Sequence, residues 1–143
     1  MLFSRPAEYA IRAMTLLASQ EPGQLTGARK ISEAEKIPMP YLWKILRVLT
    51  RRKLVRSFKG IRGGYELARR AENISLNDVF LATDGRDFRE VCVLGLPECD
   101  NDYPCPLHEQ WRQIRGNMTQ MLDHTSVADL ALVTQKRHKK RRK

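Results

Sequence analysis

The stretch IPMPYLWKILRVLTRRKLVRSFKGIRGGYELA, residues 37–68, changes its period halfway, and the change decides the fold. In its first half Leu42, Ile45, Leu46 and Leu49 recur at offsets of zero, three, four and seven. That is one apolar stripe on a helix, with Pro40 well placed as its first residue, where a missing N–H costs nothing. The opposite face is basic: Lys44, Arg47 and Arg51 form one line, with Tyr41, Trp43 and Thr50 beside them. In the second half, two short runs rich in Val, Phe and Tyr flank the turn Lys59-Gly60-Ile61-Arg62-Gly63-Gly64, which predicts a β-hairpin with a cationic tip. The glycines match neither a dinucleotide fingerprint nor a P-loop.

Upstream, Ala7, Ala10, Ile11, Met14, Leu17 and Ala18 make an apolar stripe over residues 4–19, with Ser4 as cap and Pro6 in the first turn. Glu8 and Arg12 on its other face have the spacing of an i,i+4 surface ion pair. EPGQLTG, residues 21–27, reads as a connection to a short helix through Ile31 and Ala34. Helix, turn, basic-faced helix and hairpin is the order of a winged helix-turn-helix, in which the second helix of the pair enters the major groove and the hairpin reaches flanking DNA.

Downstream, Ser75-Leu76-Asn77-Asp78 has the form of a capping box opening a helix that runs out near Gly85. Leu107, Trp111, Ile114, Met118 and Met121 then keep a heptad-like spacing, which predicts a long helix with a narrow seam suited to a second copy of the chain. The expected organisation is a DNA-binding domain over residues 1–85, a cysteine-rich loop over 86–108, a dimerisation helix region over 107–134 and a disordered basic tail over 135–143. The fold class is mainly α with a small β-hairpin wing.

The chain has 26 Lys and Arg against 16 Asp and Glu, a net +10, an excess that points to a polyanionic partner. Seven of those positive charges lie within residues 136–143, and +10 less those seven leaves +3 for the rest. The tail suits either a solvating end or a phosphate-attracting arm. No run approaches the roughly 18 apolar residues of a membrane span, and Arg5, Glu8 and Arg12 interrupt the first apolar stretch, so a cytoplasmic protein with no membrane association is expected.

All three cysteines, Cys92, Cys99 and Cys105, fall in CVLGLPECDNDYPCPLHE, residues 92–109, with His108 three positions after the last. An odd number of thiols in a reducing compartment argues against a disulfide framework and leaves metal binding, a reactive thiol or plain packing. Three thiolates with one further donor can hold an iron-sulfur cluster. Cys3His is also an ordinary zinc set, but the gaps of six and five residues lack the tight pairs of structural zinc. An enzyme is disfavoured, since Cys105 and His108 have no orienting group or oxyanion hole beside them and no catalytic residue is assigned.

The segments KISEAEKIPMPYLWKILRVL, KGIRGGYELAR and ISLNDVFLATDG, followed by three spaced cysteines, resemble the winged-helix regulators that include the iron-sulfur cluster regulator IscR, the nitric-oxide sensor NsrR and the iron regulator RirA. The resemblance runs from the N-terminus to about residue 125. It implies a homodimeric transcription factor in which a cluster held by Cys92, Cys99 and Cys105 decides whether the recognition helices fit double-stranded operator DNA. It further implies a fourth ligand: His108 in a [2Fe-2S] site, or Glu8 of the partner subunit in a [4Fe-4S] site. In such a dimer the helices from Tyr41 to Arg51 enter successive major grooves. Tyr41, Lys44 and Arg47 are then expected at base edges or adjacent phosphates, Arg51, Arg56 and Lys59 at the backbone, and Arg62 at the backbone or in the minor groove. The alternative is a regulator of the same fold without a cluster, controlled by zinc, thiol oxidation or a small effector.

Overall fold

The computed structural model describes residues 3–141. Its elements are six α-helices and one antiparallel hairpin: α1 (Arg5–Ala18), α2 (Ala28–Glu35), α3 (Met39–Arg51), β1 (Val55–Phe58), β2 (Gly64–Leu67), α4 (Leu76–Asp84), α5 (His108–His124) and α6 (Val127–Arg141). The order is that of a winged helix-turn-helix extended by two further helices, as the sequence predicts for the fold class.

Helix α1 is the central post. Ser4 caps it by accepting the Ala7 amide at 3.1 Å, and its hydroxyl also donates to the Asp84 carboxylate, tying the start of α1 to the end of α4. Ala7, Ala10 and Ala13 are fully buried. Small side chains at these positions let neighbouring helices approach closely, while Met14 and Leu17 fill the space beyond. Helix α2 ends at Lys36 in the left-handed conformation, and the chain turns through Ile37 and Pro38 into α3. The four apolar residues read from the sequence, Leu42, Ile45, Leu46 and Leu49, are the buried face of α3 and join α1, Leu54, Val55, Ile74 and Val79 in the main core.

The wing pairs Val55 with Leu67, Arg56 with Glu66, Ser57 with Tyr65 and Phe58 with Gly64. Thr26 adds a third rung, exchanging both backbone hydrogen bonds with Tyr65 at 3.0 and 2.9 Å. This rung explains Gly64: a Cβ there would lie 2.9 Å from the Thr26 carbonyl carbon and oxygen. At Gly63 a Cβ would lie 2.2 Å from the Phe58 carbonyl oxygen. Both glycines are steric requirements of the turn.

Ser75 and Asp78 form the expected capping box, and Gly85 ends α4 in the left-handed region. Three features depart from expectation. Glu8 does not pair with Arg12; the Arg12 guanidinium instead reaches Glu35 of α2 at 3.5 Å and lies over the Tyr9 ring. The predicted long helix is two helices, because Ser126 and Asp129 form a second capping arrangement: the Asp129 carboxylate accepts the Ser126 amide at 2.8 Å and its amide donates back to the Ser126 hydroxyl. Residues 135–141, expected to be disordered, continue α6. Val127 and Ala131 anchor that helix in buried positions, and Gln, Lys and Arg are good helix formers whose cations suit a helix C-terminus. Residues 142 and 143 of the basic tail lie outside the described residues.

The seam on α5 divides as well. Trp111 and Met118 turn inward with Leu122 onto a second core cluster of Ala7, Phe80 and Phe88, whereas Leu107, Ile114 and Met121 are exposed.

Candidate nucleic-acid interface and thiol site

Burying one face of α3 forces the other outward. Tyr41 and Trp43 are more than half exposed, and Lys44, Arg47 and Arg51 stand in solvent. A cleft of about 430 Å³ separates this face from the wing, lined by Trp43, Arg47, Thr50, Arg51, Ser57 and Tyr65. Ser57 and Tyr65 were not among the residues singled out from the sequence; the signal available was the two-residue alternation of the wing strands. Tyr41 is backed by Tyr9 of α1, with ring centroids 6.4 Å apart.

Among the described residues, Arg12, Arg56, Arg69, Arg70, Arg89 and Arg112 each have an acidic partner, while Lys44, Arg47, Arg51, Lys59 and Arg62 have none. Arg56 is the exception within the predicted DNA-contacting set, since its guanidinium meets the carboxylate of its cross-strand partner Glu66 at 3.1 Å. Lys44, Arg47, Arg51, Lys59 and Arg62 line α3 and the wing tip, where an external polyanion would supply their counter-charge.

The cysteine loop hangs from the second core cluster. Asp87 caps a 3₁₀ turn over Phe88–Glu90 by accepting the Arg89 amide at 2.9 Å, and also pairs with the Arg89 guanidinium, which holds its carboxyl below the usual range. That turn buries Phe88 against Phe80 and Trp111. The carbonyl of Val91 accepts from the Trp111 indole at 2.8 Å and from Arg115 at 3.3 Å, so the chain entering the loop is fixed to α5.

Beyond Val91, Cys92 is buried. The amide of Leu94, then that of Leu96, points at its sulfur, with smaller contributions from Gly95 and the Cys99 thiol, and together they lower the Cys92 thiol below its ordinary value. Cys99 in turn lies 3.4 Å from Nδ1 of His108. Cys105 is half-buried three residues before α5 opens, and its carbonyl accepts the His108 amide at 3.0 Å. Glu8 lies half-buried on the first turn of α1, next to Ala7 of the cluster that roots the loop.

Three thiols and an imidazole are donors of the right kind for an iron-sulfur cluster or zinc. Cys99 and His108 meet at 3.4 Å, without closing a cage with Cys92 and Cys105. Among the described residues no group of three or more His, Cys, Asp or Glu side chains is arranged to hold a metal ion. Nor is any described helix long and apolar enough to cross a membrane.

A helix-turn-helix with a wing and an unpaired cationic face defines a DNA-binding regulator. The chain belongs to the Rrf2 family, described as iron-dependent transcriptional regulators, whose pattern it matches over residues 3–132. It is 39% identical over 132 residues to a helix-turn-helix-type transcriptional regulator of Mycobacterium tuberculosis, covering 92% of this chain and 81% of that one. The regulator IscR of Vibrio vulnificus is 28% identical over 130 residues, with 91% and 77% covered. Among solved structures, CymR, the global cysteine regulator of B. subtilis, superimposes with a TM-score of 0.80 at 26% identity, covering 92% of this chain and 96% of that one.

Proposed function

We propose that this regulator acts as a homodimer on operator DNA and that its cysteine loop is the sensor, holding an iron-sulfur cluster through Cys92, Cys99 and Cys105 with His108 or Glu8 of the partner subunit as fourth donor. The observation that carries the sensor reading is the 3.4 Å approach of Cys99 to His108 in a loop that contains every cysteine of the chain. The family's description as iron-dependent supports it. The dimer reading rests on Leu107, Ile114 and Met121, exposed at seven-residue intervals along one side of α5. When bound, the cluster would supply a redox-sensitive group at the loop. The chain's own residues set where its loss is felt, because the loop is tied through Val91 and Phe88 to Trp111 of α5 and to the cluster containing Ala7 of α1. A sensor of this kind shifts DNA binding only by its differential affinity for two dimer arrangements.

A second reading, control by thiol chemistry without a cluster, is favoured by one observation: the Cys92 sulfur meets the Cys99 thiol and three backbone amides that favour its thiolate, the nucleophilic form. The likeness to CymR of Staphylococcus aureus, seen also in an oxidised form, points the same way.

Anaerobic purification with iron, acid-labile sulfide and zinc quantification separates the two. Iron and sulfide in the wild type, lost in Cys99→Ala, establish the cluster, and whichever of His108→Ala and Glu8→Ala loses it identifies the fourth donor. A metal-free protein whose operator affinity changes on peroxide treatment, and does so through Cys92 or Cys99, establishes the thiol reading instead.

A further inference from the structure

Helix α6 outlasts its support. Val127 and Ala131 are buried, Thr134 is half-buried, and the Gln135 amide reaches the Ser19 carbonyl at 3.5 Å. That hydrogen bond, to the residue capping the end of α1, is the last between α6 and the body among the described residues. Beyond it Lys136, Arg137, Lys139 and Lys140 are all exposed, and none has an acidic partner among the described residues. The helix continues to Arg141, six residues past Gln135, a projection of about 9 Å at 1.5 Å per residue.

The composition of this projection is unfavourable by itself. Lys136 and Lys140 are four apart, and Lys136 and Lys139, like Arg137 and Lys140, are three apart, so like charges face one another on adjoining turns. One or two cations would complement the helix dipole; seven positive charges in residues 136–143 exceed what that accounts for. No apolar side chain lies within the segment to seat on a protein groove or insert into a lipid surface. A surface of closely spaced negative charge is the partner that relieves the repulsion, and duplex DNA carries one such charge per about 1.7 Å of its axis.

The position of the projection selects the same partner. It leaves the body at Ser19, where the connection over residues 21–25 leads directly to Thr26, the backbone partner of Tyr65 in the wing. The end of α1, this connection and the wing strands surround one surface depression, so the root of the projection adjoins the root of the wing.

We propose that the basic extension of α6, Lys136, Arg137, Lys139 and Lys140, is a second, sequence-independent DNA-binding element that grips the phosphate backbone outside the segment read by α3 and the wing. This rests on the DNA-binding reading and extends it. The extension raises affinity for any duplex and lengthens the footprint, while the choice of sequence stays with α3.

The test compares the full chain with a variant carrying Lys136→Gln, Arg137→Gln, Lys139→Gln and Lys140→Gln, and with a chain ending at Gln135. Binding to a random duplex and to an operator chosen from random duplexes is measured across a salt series. Each lost phosphate contact lowers the slope of log affinity against log salt by about 0.9, so a fall of roughly 2 to 4 per subunit is expected on both DNAs, with at least about tenfold weaker binding at low salt. The ratio of operator to random affinity stays unchanged. Glutamine keeps the helix propensity, and Lys136, Arg137, Lys139 and Lys140 are exposed, so the melting temperature should hold. Unchanged slopes in both variants overturn the proposal while leaving α3 as the DNA-binding element. If the wild type binds duplexes without sequence preference and the variants bind none, the operator reading fails and the extension stands. If the wild type binds no duplex, or prefers an RNA hairpin through these residues, the proposed partner is wrong.

Discussion

The sulfur of Cys99 lies 3.4 Å from Nδ1 of His108, across nine residues of chain and at the first turn of α5. A cysteine sulfur and an imidazole at this distance serve either one metal or one another, and both cases make their losses non-additive. In anaerobically purified protein, Cys99→Ala and His108→Ala are each expected to lose most bound iron, and the double variant no more than the more severe single one. Losses that multiply independently would assign the two side chains to separate sites.

The paired glycines of the wing give a prediction about shape. Gly63→Ala places a methyl group against the Phe58 carbonyl, and Gly64→Ala places one against the Thr26 backbone. Neither neighbour is a flexible side chain, so the hairpin itself must shift. Each variant is expected to lose about 1–3 kcal/mol of stability through backbone strain, seen as a lower denaturation midpoint with unchanged helical circular dichroism. DNA affinity should fall further than stability, because the displaced tip carries Lys59 and Arg62.

Arg56 and Arg62 sit on the same wing but differ in pairing. Arg62 has no acidic partner among the described residues, whereas Arg56 is held by Glu66 at 3.1 Å. Arg62→Ala should therefore lower the salt slope of DNA binding by about 0.9 per subunit, and Arg56→Ala should change it little. Glu66→Gln removes a negative charge from the wing and frees Arg56, so tighter and more salt-dependent binding is expected. Equal effects of the two arginine substitutions would mean that the wing rearranges on DNA.

The parts of the fold legible in the sequence were those governed by neighbours along the chain. The buried face of α3, the hairpin turn and the Ser75–Asp78 capping box each follow from spacing within a few residues, and each stands where the spacing put it. The break between α5 and α6 was carried by an equally local signal, Ser126 three residues before Asp129, but the heptad spacing through Met121 suggested continuity. Charge alone suggested disorder after residue 135; the helix there is inherited from Val127 and Ala131, which lie upstream of the charged run. Arg12 chose Glu35 over Glu8 because α2 brings a carboxylate to the same face, a tertiary fact absent from the local pattern. At the thiol site the residue types were readable, but the amides that favour the Cys92 thiolate depend on a loop conformation that no periodicity encodes.

Asp87 links the loop to pH. The Arg89 side chain, foremost, holds its carboxyl below the ordinary value of 3.8, so the folded form binds that proton less readily than the unfolded chain does. Its contribution is fully present above about pH 4 and is lost as the pH falls through the lower folded value. Asp87→Ala removes that dependence and should cost about 1 kcal/mol at neutral pH by removing the cap on the turn that buries Phe88. Fluorescence of Trp111, whose ring lies 6.3 Å from Phe88, reports the change. In the wild type the signal should shift on acidification below about pH 4; in Asp87→Ala it should be shifted already at neutral pH, with a weaker acid response. A variant indistinguishable from wild type would show that Phe88 holds the turn without the cap.

The two faces of α5 predict opposite outcomes for substitutions eight residues apart. Leu122 is fully buried in the cluster with Phe80 and Phe88, so Leu122→Ala should cost about 2–5 kcal/mol of stability through the lost contacts and the cavity left behind. Ile114 is half exposed and lies between Leu107 and Met121 on the outer seam. Replacing it by Glu removes nothing from the monomer's core but places a charge where two copies of α5 would meet, and desolvating that charge opposes association. Ile114→Glu should sediment as a folded monomer, keep its secondary structure and lose much of its operator affinity, since two linked recognition helices bind far more tightly than one. If Ile114→Glu sediments as the wild type does, the dimer is built on another surface, and the exposed Leu132 and Val133 of α6 would be the next apolar pair to substitute.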